Sequence, residues 1–193
     1  MSEKIILGIV GKISSGKGTV AEYLQNKYNA RVFGFSTPIR DTLNRLYIPI
    51  TRDNMQKMST ILREAFNQDL FSRVIMEDVQ RDSGKLIAIE GVRRMTDLEH
   101  LKSLPNFKLI RIVADEKNRY ERLIKRSQNL DDQNKTFEEF LEQEKAESEL
   151  SIPPVMELAE LELDNNGTIE DLHQQIDKVI HLKLRLWEGR ENS

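Results

Sequence analysis

The chain has 193 residues, no cysteine and a net charge of −3, with 38% hydrophobic and 32% charged residues. That size suits one domain with a core that needs no disulfide or structural metal. The missing cysteines exclude a disulfide framework and cysteine-based metal or redox chemistry, and the charge gives no basic field for nucleic acid. No apolar run approaches the roughly 20 residues of a membrane span. The first residues, MSEKIILGIVGK, are too soon interrupted to be a signal peptide. The expected location is therefore the cytoplasm. The expected partners are small molecules, with neither nucleic acid nor membrane, for a chain that is a monomer or a homodimer.

Short apolar runs alternate with longer amphipathic segments, the pattern of strands and helices around a parallel sheet. The first strand is expected over Lys4–Val10, and the helix Lys17–Tyr28 follows at once. Between them lies GKISSGKGT, in which Gly11 is followed by four residues and then Gly16-Lys17. A strand, a glycine-bounded loop and a helix start with lysine form a phosphate-binding P-loop. Its amides and helix dipole cradle phosphate, and Lys17 brings a full charge to the β/γ-phosphates. Lys12, Ser14, Ser15, Gly16, Gly18 and Thr19 complete the cradle. Position 18 is glycine where the general motif has a hydroxyl, so the usual protein ligand to Mg²⁺ is absent and Thr19 becomes a phosphate hydrogen-bonder. This Gly-Lys-Gly-Thr form resembles that of adenylate kinase and its relatives.

The second strand, Arg31–Phe35, runs into Ser36, Thr37 and Arg40. Helices are expected over Pro38–Leu46, Asn54–Phe66 and Leu70–Asp82, and this strand-free interval is where a substrate region would sit. Met55, Met58, Leu62 and Phe66 read as a core stripe. The third strand, Lys85–Ile89, ends in Glu90-Gly91-Val92-Arg93-Arg94. In open parallel sheets ligands collect beyond the carboxyl ends of strands, so these residues are functional candidates. Arg40, Arg63 and Arg93 read as a clamp for a second phosphate, because guanidinium forks match phosphate oxygens. The competing reading for each is an ion pair. Glu90 stands where P-loop proteins keep a carboxylate for Mg²⁺ or its waters, with Thr19 as the lesser metal candidate; the alternative for Glu90 is an ion pair with Arg93 or Lys17.

A helix over Asp97–Ser103 precedes the fourth strand, Lys108–Ala114. The next helix, Glu116–Ser127, places Arg119, Arg122 and Arg126 at three- and four-residue steps. That row reads as a lid over the transferring phosphates or as a solvated face with local Glu–Arg pairs. Phe137–Ser148 is a further helix whose glutamates, with Glu149, read as a solvated face. The fifth strand, Glu160–Leu163, leads through Asn165-Asn166-Gly167 into the helix Ile169–Trp187. His100, His173 and His181 lie on helices without partners at ligand spacing and read as structural.

The Gly-Lys-Gly-Thr loop, FSTPIRD, EGVRR, RYERLIKR and LDNNGTIEDL, in that order, resemble the deoxynucleoside monophosphate kinase and dephospho-CoA kinase branch of the P-loop kinases. The resemblance runs from about residue 4 to residue 180. It implies a three-layer α/β P-loop NTPase fold with a five-stranded parallel sheet in order 2-3-1-4-5. It also implies a single domain over 1–188, an acceptor region at about 36–83, a lid at about 119–136 and a flexible tail at 189–193. ATP with Mg²⁺ would sit on the P-loop, with Asn166 and Gly167 flanking the base. Lys17, Arg93, Arg122 and Arg126 would be catalytic, and Ser36, Arg40, Arg63 and Arg93 would bind the acceptor. Two departures bear on the acceptor: Ser36 stands where dephospho-CoA kinases carry an aspartate, and Glu90-Gly91 replaces Asp-Gly. A monophosphate oxygen is already anionic and needs no strong base, so the expected acceptor is a nucleoside or deoxynucleoside monophosphate. The alternatives are the 3′-hydroxyl of dephospho-CoA and a regulatory nucleotide-binding ATPase.

Overall fold

The computed structural model describes residues 4–125, 133, 135–145 and 147–183. Five strands, β1 (Ile5–Val10), β2 (Arg31–Gly34), β3 (Leu86–Glu90), β4 (Phe107–Val113) and β5 (Leu161–Asp164), form one sheet in the order β2-β3-β1-β4-β5. Every neighbouring pair is parallel, so each connection crosses over a face of the sheet and buries it. This is the expected P-loop kinase architecture. Because side chains alternate along a strand, β1 supplies two cores. Leu7 and Ile9 pack with Val20 and Leu24 of α1 (Lys17–Tyr28) and with Leu172 and Ile176 of α9 (Ile169–Lys178). Ile6 and Val10 pack with Ile39 and Leu43 of α2 (Thr37–Arg45) and with Phe71, Ile75 and Val79 of α4 (Leu70–Arg81).

Helix α3 (Arg52–Ala65) is capped by Thr51, whose hydroxyl accepts from the Asn54 amide at 3.1 Å. It sends Met55, Met58 and Leu62 against the second core without fully burying them. Phe66 does not belong to that stripe: it follows the last helical residue and is 70% exposed.

The helix expected over Asp97–Ser103 is instead two short 3₁₀ turns, Met95–Leu98 and Leu101–Ser103. Asp97 explains the change. Its carboxylate accepts the amides of Arg93 and Arg94, both at 3.0 Å, and its carbonyl takes the Ser72 hydroxyl at 2.8 Å. Tertiary partners thus replace the helical ladder there. Beyond β4, α5 spans Glu116–Lys125, and the segment expected as one helix divides into α6 (Phe137–Glu144) and α7 (Glu147–Leu150). A short helix α8 (Ile152–Met156) follows with proline in its first turn, where no amide is needed. The last helix becomes a π-helical turn over Val179–Lys183. Arg126, the other lid residues 127–132 and 134, and the expected tail lie outside the described residues. Among the described residues no helix is long and apolar enough to cross a membrane.

At the edge remote from the P-loop, Asp177 of α9 gathers three donors from α1: Tyr23 at 2.9 Å, Tyr28 at 2.6 Å and Lys27 at 2.8 Å. His181 meets the Tyr28 hydroxyl at 3.2 Å, and His173 stacks on Tyr23 at a centroid distance of 3.8 Å. His100 pairs with Asp69 at 2.6 Å. All three histidines make structural contacts, and among the described residues no group of three metal-ligating side chains exists.

Candidate active site

The loop between β1 and α1 has the backbone of a phosphate cradle. Gly16 holds φ 106°, a left-handed value that L side chains avoid, and a Cβ there would stand 2.2 Å from Asn165 Nδ2. A Cβ on Gly11 would meet the Ser15 hydroxyl at 2.5 Å and the Ile112 carbonyl at 2.8 Å. Both glycines are thus fixed by conformation or by close approach. Helices α3, α6 and α9 are capped by threonine hydroxyls and carry acids in their first turns. Helix α1 has no side-chain cap and no acid in its first turn, which leaves its amides and dipole available to an anion. The hydroxyls of Ser14 and Ser15 are buried without a hydrogen-bond partner among the described residues. A polar lining of this kind, at an uncapped helix start, fits phosphate oxygens.

Lys17 Nζ donates to the carbonyls of Gly11 at 2.7 Å and Lys12 at 2.9 Å, so its charge lies over the loop. Glu90 ends β3 beside β1, in register with Ile9, and its Oε1 stands 3.9 Å from where a Cβ on Gly18 would be. Burial pushes the Glu90 carboxyl above its ordinary range, and the Lys17 charge opposes that shift. A carboxyl raised in the folded state binds its proton more tightly there than when unfolded. Its ionisation therefore costs stability as pH rises past the unfolded value of 4.5, and the cost is complete above the folded value. Glu90→Gln is expected to raise Tm at pH 7 to 8, a gain that vanishes below the unfolded value. Thermal denaturation across pH checks it.

The acceptor-side arginines meet different fates. Arg63 is only 8% exposed, with its guanidinium on Asp97 at 2.9 Å and over the Phe71 ring. It is committed to the turn that carries Arg93 and Arg94 and is not an open clamp. Arg93 donates to Glu149 Oε1 at 2.7 Å, while its side chain keeps 43% exposure. Arg40 is exposed with no ion pair among the described residues, and Ser36 is exposed at the start of α2. Arg63 and Arg93 thus each face a carboxylate, Asp97 and Glu149, that is itself largely buried.

The acidic stretch, expected from sequence to be a solvated face, is not solvated throughout. Glu144 and Glu149 turn inward, with side-chain exposures of 10% and 3%, because each meets a buried or half-buried arginine. Arg119 is 1% exposed; it donates to both oxygens of Glu144, to the Ala114 carbonyl at 3.0 Å and toward the Ile13 carbonyl of the P-loop at 3.4 Å. It anchors the base of the expected lid and does not face solvent. Arg122 turns to β5, donating to the Asn165 carbonyl at 2.7 Å. Asn166 joins the loops after β4 and β5, its Oδ1 accepting the Asp115 amide at 2.7 Å and the Asn118 side chain at 3.0 Å. Gly167 lies against Asp171, which closes the Thr168 cap of α9. A cleft of about 500 Å³ opens beside this assembly, lined by Lys12, Ile112, Asp115, Arg119 and Met156. Sequence reasoning missed Asp97, Glu144, Glu149 and Asn165, whose spacing carries no local signal because their partners are distant in the chain.

Among relatives, a UPF0200 protein of Staphylothermus marinus is 27% identical over 188 residues, spanning 97% of each chain. One of Sulfurisphaera tokodaii is 28% identical over 177 residues, spanning 91% of this chain and 95% of its own. Among solved structures, a shikimate kinase from Bacteroides thetaiotaomicron has a TM-score of 0.64 at 14% identity, covering 92% of this chain and 99% of its own. A gluconokinase from Sinorhizobium meliloti has a TM-score of 0.58 at 15% identity, covering 98% of both. These structures share the fold. The AAA domain family matches residues 7–149, the stretch that holds the P-loop, the β3 end and the base of the expected lid, and the chain belongs to that family.

Proposed function

We propose that this protein transfers the γ-phosphoryl group of ATP to a small-molecule acceptor, a nucleoside or deoxynucleoside monophosphate. The observation that carries the reading is the opposition of Lys17, at the start of α1, and the burial-raised Glu90, at the end of β3 beside β1, over a loop whose buried serine hydroxyls lack partners among the described residues. The neighbours named as kinases support it through their fold alone.

In this reading Gly11, Lys12 and Ser14 to Thr19 wrap the polyphosphate, and Lys17 moves from the loop carbonyls to the β/γ-phosphates. Asn166 and Gly167 would border the base, and Arg122 and Arg126 would act as catalytic cations. Among the described residues Glu90 belongs to no group of three metal-ligating side chains, so it would hold Mg²⁺ through water, with Thr19 as a second contact. Such an ion would supply positive charge against the charge that develops during transfer. Arg40 and Ser36 would hold the acceptor, with Arg93 turned toward it and Arg63 fixing the turn behind. The donor cradle and acceptor side would thus work mainly by positioning.

One observation favours a second acceptor class. Arg63 and Arg93 already hold the buried carboxylates Asp97 and Glu149, which reduces the positive field available to an incoming phosphate. A hydroxyl acceptor, such as the 3′-hydroxyl of dephospho-CoA, needs less of that field. An ADP-release assay with ATP and Mg²⁺ against all ribo- and deoxynucleoside monophosphates and dephospho-CoA separates the cases. Stimulation by monophosphates supports the first reading and stimulation by dephospho-CoA alone the second. Turnover equal to the no-acceptor control overturns both in favour of a regulatory ATPase.

A further inference from the structure

We infer that Asn165 is a positioning residue that braces the phosphate cradle from behind and ties it to Arg122 of α5. The residue directly follows β5 and is 6% exposed. Its backbone amide continues the sheet by donating to the Val113 carbonyl at 2.8 Å, so its place is set by β4 before its side chain makes any contact. From there the side-chain amide donates to the Ser15 carbonyl at 2.8 Å, across 150 residues of sequence. Arg122 grips the same residue through one nitrogen, Nη2, on the Asn165 carbonyl at 2.7 Å and on Oδ1 at 3.3 Å.

Each partner gains something specific. The Ser15 carbonyl is drawn toward β5 within the turn whose following residue, Gly16, holds φ 106° and has no room for a Cβ against Asn165. The glycine that the motif requires and the asparagine behind it are therefore two parts of one contact. Pulling this carbonyl back orients the peptide units that lead into α1, which is the part of the loop an anion would meet. Arg122 is left with its second terminal nitrogen, Nη1, buried and without a hydrogen-bond partner among the described residues. Asn165 thereby fixes the guanidinium while leaving one buried donor uncommitted, and a chain of direct contacts runs from α5 to the P-loop.

The inference rests on the P-loop holding ATP and assigns Asn165 no contact with the nucleotide. It is tested by equilibrium titration of the full chain with ATP and Mg²⁺, comparing wild type with Asn165→Asp, Asn165→Ala, Arg122→Ala and the double alanine variant. Asn165→Asp keeps the shape but sets a carboxylate oxygen against the Ser15 carbonyl; Asn165→Ala removes the contact without adding charge. Both single Asn165 variants are expected to weaken ATP binding about tenfold, the scale of one lost buried hydrogen bond. The Arg122 and Asn165 alanine effects should be less than additive, because one bond is shared. With saturating ATP, the acceptor KM should stay within about twofold of wild type, a split that general destabilisation would not produce. Wild-type affinity in both Asn165 variants, with wild type binding ATP, overturns the brace alone. Absence of ATP binding in wild type overturns the P-loop reading and the brace together. Additive effects overturn the link to Arg122.

Discussion

Lys17→Ala is expected to lower phosphoryl transfer by roughly a thousandfold or more while leaving the sheet intact. Lys17 is the cation at the mouth of the loop, and its ammonium rests on the Gly11 and Lys12 carbonyls at 2.7 and 2.9 Å. Two loop carbonyls compete poorly with the charge of a triphosphate, so the side chain can swing to the ligand at small cost. Alanine removes that charge where negative charge gathers during transfer. The substitution also has an electrostatic echo. Lys17 is the charge that opposes the burial-driven rise of the Glu90 carboxyl. Without it Glu90 should titrate higher still, and residual turnover should need a more alkaline pH than wild type. Single-turnover rates across pH check both effects, and Lys17→Met, which keeps the stem, should behave as the alanine variant does. Wild-type transfer in either variant would refute the P-loop assignment.

The parts of this site that were legible in the sequence are those whose signals are local. The glycine spacing and Lys17 mark the cradle, five short apolar runs mark the strands, and α1 begins and ends where its pattern does. Glu90 was legible because it directly follows an apolar strand. The arginines were legible as residues and not as roles. Nothing within a few positions of Arg63 reveals Asp97, and nothing near Arg93 reveals Glu149; each pair spans a long stretch of chain. The same holds for Asn165, whose partner carbonyl belongs to Ser15. Read locally, LDNNGT is a turn signal before a capped helix, and Thr168 does cap α9. That Asn165 reaches into the P-loop depends on β4 and β5 lying side by side, which periodicity alone does not fix.

Arg119 presents the largest expected effect on stability. It sits on α5 in the row that reads from sequence as a lid over the phosphates or as a solvated face, yet it is 1% exposed. Its guanidinium is shared among both Glu144 oxygens, the Ala114 carbonyl and the Ile13 carbonyl, and it lies 5.4 Å from the Phe140 ring centroid. Lys12 stands 3.9 Å from Glu144, too exposed to take over the pairing at full strength. Arg119→Ala leaves the Glu144 carboxylate half-compensated in a nearly closed site and strips the P-loop and the start of α5 of a shared donor. A loss of about 3–5 kcal/mol is expected, the scale for breaking a buried ion pair from one side. Removing both charges should cost less than removing one, because the penalty comes mainly from the stranded partner. Arg119→Met with Glu144→Leu should therefore recover much of the stability by urea denaturation while leaving ATP binding impaired, since Ile13 still loses its donor. A double variant no more stable than Arg119→Ala would mean that the shared carbonyl contacts, not the charge pair, hold α5 and α6 to the P-loop.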